Sequence, residues 1–211
     1  MKIVVFGANG RTGHEIVKVA LDRGLVVRAA VRNSASISQQ NGHLDVVEYD
    51  LQEFETVKRA IEGCDAVISA LGSGNPRQAA KPTSLYSNAA RTMTDAMRGQ
   101  TRRLLVLSSG AVDDSGQGPW IYQCFFRPYM MNTYIDMARM ETILEERSDH
   151  IDWTSVRPTY LLNGPSKPYK VFDRFLECSG YKINRIDVAT FCIDQLQETR
   201  WIHKMPVLAY E

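Results

Sequence analysis

The first glycines of the chain have a spacing that suits phosphate binding. Gly7, Gly10 and Gly13 stand between the apolar run IVVF and an amphipathic segment, with Ala8 replacing a glycine of the commoner G-x-G-x-x-G form. At a strand-to-helix turn, glycines let backbone N–H groups approach a ligand, and the helix N-terminus adds partial positive charge. The alternative is a tight turn that only packs a helix on a strand. We predict a dinucleotide pyrophosphate site formed by Gly7, Asn9, Gly10, Arg11, Thr12 and Gly13.

The residues after the second apolar run indicate which dinucleotide would bind. An NAD site usually has an Asp or Glu at this point, which holds the ribose hydroxyls. Here the run ends VRNS at residues 31–34, and no acidic residue occurs from 23 to 44. Arg32 is placed to hold a 2′-phosphate through two hydrogen bonds, and Arg11 is a second cation on the same side. The alternative is that both arginines are solvated surface residues. The missing carboxylate favours binding of NADP(H).

Strand-like and helix-like segments alternate along the chain and must position these residues. Short β-branched or apolar runs predict strands at Ile3–Phe6, Leu25–Val31, Leu44–Tyr49, Ala66–Leu71, Leu104–Leu107, Ile151–Val156 and Met205–Leu208. Helical periodicity predicts a helix that Gly24 ends, followed by helices at Phe54–Ile61, Ser84–Met97, Met131–Glu146 and Val188–Leu196. This alternation predicts an α/β fold, a doubly wound (Rossmann-like), mostly parallel sheet with helices on both faces, as one domain over residues 1–211.

This fold would gather several candidate residues at one edge. In an open parallel sheet, ligands bind outside the carboxyl ends of the strands, where the strand order reverses. Asp50 could instead be a simple turn or cap residue, and Pro158 could merely end a strand. The candidates that each follow a predicted strand are Gly7, Arg32, Asp50, Leu71, Ser108 and Pro158.

Composition and charge exclude several classes of protein. The 211 residues carry a formal net charge of +1, so no global field attracts nucleic acid or an anionic membrane. Four cysteines are widely separated and four histidines do not cluster, which predicts a reducing compartment and no metal site. No apolar stretch approaches membrane-spanning length, and Met1 leads directly into a strand. We therefore expect a cytoplasmic protein.

Several stretches together resemble the atypical short-chain dehydrogenases/reductases, in particular their NAD(P)H-binding, NmrA-like and flavin/biliverdin reductase group. They are GANGRTG, VRAAVRN, VVEYDL, AVISALG, WTSVRPTYLLNGP and INRIDVATFCIDQL, and they cover almost the whole chain. The resemblance implies that Arg32 binds phosphate and that the Arg157-Pro158 pair lies near the nicotinamide. It further implies cofactor contacts from Asp50, Leu51, Ala70, Leu71 and Gly72.

The sequence departs from the wider family at its catalytic residues. Typical short-chain dehydrogenases use a serine and a tyrosine four residues before a lysine, whose charge lowers the tyrosine pKa. No tyrosine here has a lysine four residues later. The resemblance aligns Thr133 with that tyrosine, Met137 with that lysine and Gly110 with that serine. Tyr134 stands one residue away, and LSSGAV supplies Ser108 and Ser109 just before Gly110. We take Ser109 and Tyr134 as the catalytic candidates, and expect the cofactor to donate hydride to an acceptor that needs little acid help.

An aromatic segment follows the fifth predicted strand. Residues 113–134 contain six aromatic side chains, including Trp120 and Phe126, and we expect a long loop that forms a lid over a planar acceptor. The alternative is a hydrophobic interface for a second subunit, so the protein would be a monomer or a homodimer.

Two classes of function remain. The first is an NADPH-dependent oxidoreductase that passes hydride to a small planar acceptor such as a flavin, a quinone or a linear tetrapyrrole. The second is a non-catalytic NADP(H)-binding sensor of the NmrA-like type. A sugar-nucleotide epimerase is disfavoured, because the segment after the sixth strand leaves little room for a substrate domain.

Overall fold

The computed structural model describes residues 1–37, 41–74, 80–113, 120, 122–176 and 180–211. The strands are β1 (Lys2–Phe6), β2 (Val26–Val31), β3 (Leu44–Glu48), β4 (Ala66–Ser69), β5 (Arg103–Leu107), β6 (Asp152–Pro158), β7 (Tyr160–Leu162), β8 (Lys170–Asp173), β9 (Lys182–Asn184) and β10 (Pro206–Ala209). The α-helices in the described part are α1 (Arg11–Asp22), α2 (Phe54–Ile61), α3 (Leu85–Ala96), α4 (Arg127–Glu146) and α5 (Arg185–Asp194).

Eight strands form one sheet in the order β3-β2-β1-β4-β5-β6-β10-β8. Its neighbouring strands are parallel, except that β8 pairs with β10 in the antiparallel sense. A separate parallel pair joins β7 to β9. The predicted doubly wound, mostly parallel α/β fold is confirmed.

Helices cover both faces of the sheet and bury a core on each side. The buried faces of α2, α3 and α4 pack in one hydrophobic cluster, and those of α1 and α5 pack in the other. Strands between two such layers must be apolar on both sides, which explains why VVF in β1 and AVIS in β4 are continuous buried runs. Among the described residues, no helix combines the length and apolarity needed to cross a bilayer.

The aromatic segment does not form the long loop that its sequence predicts. Tyr122–Phe126 form a π-helical turn, and α4 begins at Arg127, four residues before its predicted start. Pro128 lies in the first turn of α4, where its missing N–H costs no helical hydrogen bond. The prediction of a long loop is therefore wrong from residue 122 to the predicted helix start at Met131, and residues 114–119 and 121 lie outside the described residues.

Other differences are confined to short elements and to the ends of long ones. The strands β7, β8 and β9 have only three or four residues each, too few for a clear alternation. The fourth strand ends at Ser69 instead of Leu71, and α5 starts at Arg185 instead of Val188. These shifts leave Ala70 and Leu71 in the turn that follows β4.

A buried ion pair joins α4 to the end of β6. Arg157 donates from Nε to Glu141 Oε1 (2.9 Å) and from Nη2 to Glu141 Oε2 (2.7 Å), and the Ser155 hydroxyl donates to the same carboxylate (2.7 Å). A third donor, Nη1 of Arg157, reaches Asp113 Oδ2 at 2.6 Å. Burial alone would lower the pKa of Arg157, but its two carboxylate partners outweigh burial and raise it. The network fixes α4 against the central strands.

Removing one partner of this pair should destabilise the protein strongly. Glu141→Gln leaves the Arg157 guanidinium buried with a weaker acceptor, so we expect the free energy of unfolding in urea to fall by about 3 kcal/mol. The double variant Glu141→Leu/Arg157→Met, which leaves no buried charge at these two positions, should recover most of that loss. A loss below about 1 kcal/mol for Glu141→Gln would contradict the structural role assigned to the pair.

Candidate functional site

The strand order reverses beside β1, which defines the candidate site. From β1 the chain first builds outward through β2 and β3, and then returns to the other side of β1 with β4. The glycine turn follows β1, and residues 70–72 follow β4, so the two segments flank this reversal at the carboxyl edge of the sheet. Such a switch point is where open α/β sheets bind ligands.

The three glycines have different roles in the turn. A Cβ atom at Gly7, whose φ is 76°, would lie 2.6 Å from the carbonyl oxygen of Ala70, and one at Gly13 would lie 2.1 Å from that of Gly7. Gly7 and Gly13 therefore allow α1, β1 and the turn after β4 to pack closely. At Gly10 the corresponding Cβ would lie 3.1 Å from the Gly7 oxygen, a tight contact that requires a shift of a few tenths of an ångström but is less severe than the other two.

The start of α1 offers donors for an anion. Gly10 is the N-cap and has no side chain to cap the helix, and the first turn contains no acidic residue. The first intrahelical bond runs from the His14 N–H to the Gly10 carbonyl at 2.8 Å, so the N–H groups of residues 11–13 precede the helical ladder. Asn9, Gly10 and Arg11 are exposed and Thr12 is half-buried. The donor set fits a phosphate group.

The corner after β2 contains a guanidinium and also a carboxylate that sequence reasoning missed. Arg32 is exposed immediately after β2. Glu48, the last residue of β3, accepts a 2.7 Å hydrogen bond from the backbone N–H of Ser34, and this bond lowers the pKa of Glu48. The parallel register between β2 and β3, with Val31 opposite Glu48, brings this carboxylate to the corner from a distant part of the sequence.

Asp50 forms the turn that leads into α2. Its Oδ1 accepts a 2.9 Å hydrogen bond from the Gln52 N–H, and its own N–H donates to the Thr56 hydroxyl at 3.0 Å. Leu51 is half-buried and packs against the core. This geometry matches the alternative interpretation of Asp50 as a turn residue; its place beside an adenine stays a prediction.

The turn after β5 holds a buried polar atom with no partner. Ser108 has its backbone N–H bonded to the Val156 carbonyl (2.8 Å), while its Oγ is buried and unpartnered among the described residues. Pro158, the last residue of β6, is buried next to this turn, because its carbonyl accepts the Gly110 N–H at 3.0 Å. Arg157 forms ion pairs with Glu141 and Asp113, and its place near the nicotinamide stays a prediction.

The two catalytic candidates meet in the structure. Tyr134 is buried on α4, and its hydroxyl interacts with the Ser109 side chain and lies 2.7 Å from the Tyr122 hydroxyl. Burial, and then the Tyr122 hydroxyl, raise the pKa of Tyr134; Arg127 and Ser109 oppose this more weakly. The phenol therefore stays neutral, unlike a tyrosine activated by a lysine. Sequence analysis missed Tyr122, because its approach to Tyr134 depends on the π-helical turn.

Exposed aromatic side chains lie next to these hydroxyls in the sequence. Trp120, Phe125 and Phe126 are 69%, 66% and 60% exposed, although most large apolar side chains of the described chain are buried. Among the described residues, no cluster of His, Cys, Asp and Glu could hold a metal ion.

Comparisons with known proteins agree with this geometry. A family model described as NAD(P)H-binding matches residues 7–199. The chain is 28% identical over 174 residues to the uncharacterised protein YwnB of Bacillus subtilis. This alignment covers 79% of this chain and 76% of YwnB.

Solved structures show the same fold. A Streptococcus pneumoniae protein to which NADH-flavin reductase activity has been attributed is 24% identical, with a TM-score of 0.78 and full coverage of both chains. A short-chain dehydrogenase/reductase of Veillonella parvula, solved in complex with NADP, is 17% identical, with a TM-score of 0.76 over 99% of this chain and 94% of that one. Because the family model matches the chain from the glycine turn to residue 199, the chain belongs to the NAD(P)H-binding family of Rossmann-like proteins.

Proposed function

We propose that the protein is an NADPH-dependent reductase that passes hydride to a small planar acceptor such as a flavin or quinone. The observation that carries this proposal is the placement of two features at one edge of the sheet. One is the uncapped start of α1, which suits a diphosphate, and the other is the hydroxyl group of Tyr134 with its partners Ser109 and Tyr122. Binding donors and a proton-bearing group would thus share the carboxyl edge, although α1 and α4 pack on opposite faces of the sheet.

The residues for holding the cofactor follow from this geometry. The N–H groups at the start of α1 would hold the diphosphate, and Arg32 the 2′-phosphate of NADP(H). The turns with Ala70, Leu71 and Gly72 and with Ser108 and Pro158 would line the remainder of the cofactor site. The reduced nicotinamide supplies a hydride when it is bound.

The neutral tyrosine suits an acceptor that needs little acid catalysis. A raised pKa makes Tyr134 a poor acid and a poor base at neutral pH, so its hydroxyl mainly positions the acceptor through a hydrogen bond. Flavins and quinones accept hydride without a strong general acid, whereas a simple ketone gains more from one. The exposed rings of Trp120, Phe125 and Phe126 give a planar acceptor a surface on which to stack.

A non-catalytic NADP(H) sensor is the second candidate. The same exposed aromatic side chains also suit contact with another protein or with a second copy of this chain. In addition, Ala138 stands four residues after Tyr134, where a catalytic lysine would be expected, and this fits a protein that binds the dinucleotide without turnover. Turnover distinguishes the two candidates. For either function we propose a cytoplasmic location, where NADPH is available.

Cofactor preference tests the role of Arg32. We expect NADPH to bind more tightly than NADH by about 1–3 kcal/mol in calorimetric titrations, and Arg32→Ala to remove most of that difference. Arg91→Ala, at an exposed position of α3, is the control for loss of one surface charge and should keep the preference.

The same titrations with a Glu48 variant test the opposite preference, for NADH over NADPH. If the parent protein binds NADH at least as tightly as NADPH, and Glu48→Gln weakens NADH alone, the Glu48 carboxylate holds the ribose hydroxyls and the proposed NADP(H) specificity is wrong.

The glycine turn gives a matched pair of variants. Gly10→Val should fold if the turn shifts by a few tenths of an ångström to relieve the 3.1 Å contact of its Cβ with the Gly7 oxygen. Its side chain should block the approach of a diphosphate and weaken NADPH binding by roughly tenfold or more. Gly13→Ala should instead lower the melting temperature sharply, because its Cβ would lie 2.1 Å from the Gly7 oxygen. A stable Gly10→Val protein with parental NADPH affinity would disprove the assignment of the turn.

Steady-state kinetics test the reaction and the role of Tyr134. With a panel of flavins and quinones, we expect the parent protein to oxidise NADPH, and Tyr134→Phe, Tyr122→Phe and Ser109→Ala each to reduce turnover only about tenfold, below the usual cost of losing a general acid. Because the pKa of Tyr134 is raised, kcat should show no phenol ionisation from about pH 6 to about pH 9. Truncating Trp120 or Phe126 should mainly raise the acceptor KM.

Two results would contradict that account. A roughly thousandfold loss for Tyr134→Phe alone would identify a dedicated proton donor. Tight NADPH binding with no turnover of any acceptor would support the sensor instead.

A further inference from the structure

Two helices begin side by side at the carboxyl edge, and each begins with an arginine. The helices α1 and α5 pack on the same face of the sheet, in one hydrophobic cluster. Since α1 leads to β2 and α5 leads to β10, both parallel to the central strands, both helices start at the carboxyl edge. Their first residues are Arg11 and Arg185, and neither helix has a side-chain cap.

Arg185 is a buried cation without a carboxylate partner in the described part of the chain. Only 8% of its surface is exposed. Its Nη1 donates to the neutral Asn163 side chain at 2.8 Å, while its Nε is buried and makes no hydrogen bond to any described residue. Desolvating a guanidinium is unfavourable unless an anion compensates its charge, and a bound anion would supply that compensation here.

The acidic residue nearest in sequence does not serve Arg185. Asp187 accepts hydrogen bonds from the Ser166 hydroxyl (2.6 Å), from the Lys167 N–H (3.3 Å) and from the Tyr210 hydroxyl. These contacts fix the loop before β8 and the end of the chain. The Asp187 carboxylate thus bonds other groups, and Arg185 has no carboxylate partner among the residues that the structure describes.

Arg11 is close enough to affect Arg185. Burial lowers the pKa of Arg185, and repulsion from the Arg11 charge lowers it further, while Tyr160 and Glu15 act weakly in the opposite sense. Two like charges near an uncapped helix start raise the free energy of the unliganded protein. An anion that binds between them would relieve both the repulsion and the missing hydrogen bond at Nε.

We propose that Arg185 is a phosphate ligand which, with Arg11 and the N–H groups at the start of α1, binds a phosphate or diphosphate group. The identity of the ligand rests on the proposed function. The group would come either from the diphosphate of the dinucleotide or from the phosphate of a phosphorylated acceptor such as FMN. Both sources present the same charged oxygens to the Nε–H of Arg185.

Calorimetric titration of three variants with matched probes tests this site. Arg185→Met removes the cation, Arg185→Lys keeps the charge without the Nε donor, and Arg91→Met removes an exposed arginine elsewhere. The probes are inorganic pyrophosphate, ADP-ribose and NADPH, together with FMN and riboflavin in the presence of saturating NADP⁺. Arg185→Met should retain the parental melting temperature or exceed it, because it removes an unpaired buried charge; if it does not fold, Arg185→Lys provides the test.

A diphosphate ligand predicts that Arg185→Met binds ADP-ribose and NADPH about 10- to 100-fold more weakly than the parent or Arg91→Met does, with Arg185→Lys in between. An acceptor phosphate instead predicts unchanged ADP-ribose affinity and loss of the preference for FMN over riboflavin. Either result supports the site.

Parental affinity for every phosphate probe in both Arg185 variants would overturn the inference while leaving the proposed function intact. Conversely, if pyrophosphate binds in an Arg185-dependent manner but neither ADP-ribose nor NADPH binds the parent protein, the anion site stands and the proposed function fails.

Discussion

The close approach of three backbone segments at the carboxyl edge is the constraint on which the candidate site depends. Gly7, Gly13 and the Ala70 carbonyl leave no space for a Cβ atom, and this lets α1 start directly above the gap between β1 and β4. If either glycine carried a side chain, α1 would have to move away from the strands. The N–H groups that start the helix would then lose their position at the point where the strand order reverses.

Around that edge, polar groups fall into two kinds. Some are fully satisfied and hold the fold together: Arg157 with Glu141, and Asp187 with Ser166 and Tyr210. Others, namely Ser108 Oγ and Arg185 Nε, are buried and have no partner within the described ranges of the chain. Native proteins satisfy nearly all buried polar atoms, so a ligand that completes these two hydrogen bonds would fit the proposed site; His150 Nε2 and Gln195 Oε1, away from this edge, are also buried without a partner in the described chain.

Much of this arrangement could be predicted from the sequence, because it depends on local signals. The glycine spacing, the apolar runs and the helical periodicity are all local, and they give the doubly wound sheet and the carboxyl edge. The features that could not be predicted depend on contacts between residues far apart in the sequence. Glu48 lies near Arg32 only because of the register between β2 and β3. Tyr122 meets Tyr134 only because a π-helical turn precedes α4. Likewise, the isolation of Arg185 follows from the alternative partners of Asp187.

The central claim is that a nicotinamide dinucleotide binds at the glycine turn, and the glycine amide signals in ¹H–¹⁵N NMR spectra test it most directly. On titration with NADP⁺, the signals of Gly7, Gly10 and Gly13 should shift or broaden. Those of Gly24, Gly63 and Gly99, which end α1, α2 and the α3 region at the opposite edge of the sheet, should stay unchanged. Saturating NADP⁺ that moves none of the first three signals, or that moves only the second three, would contradict the account.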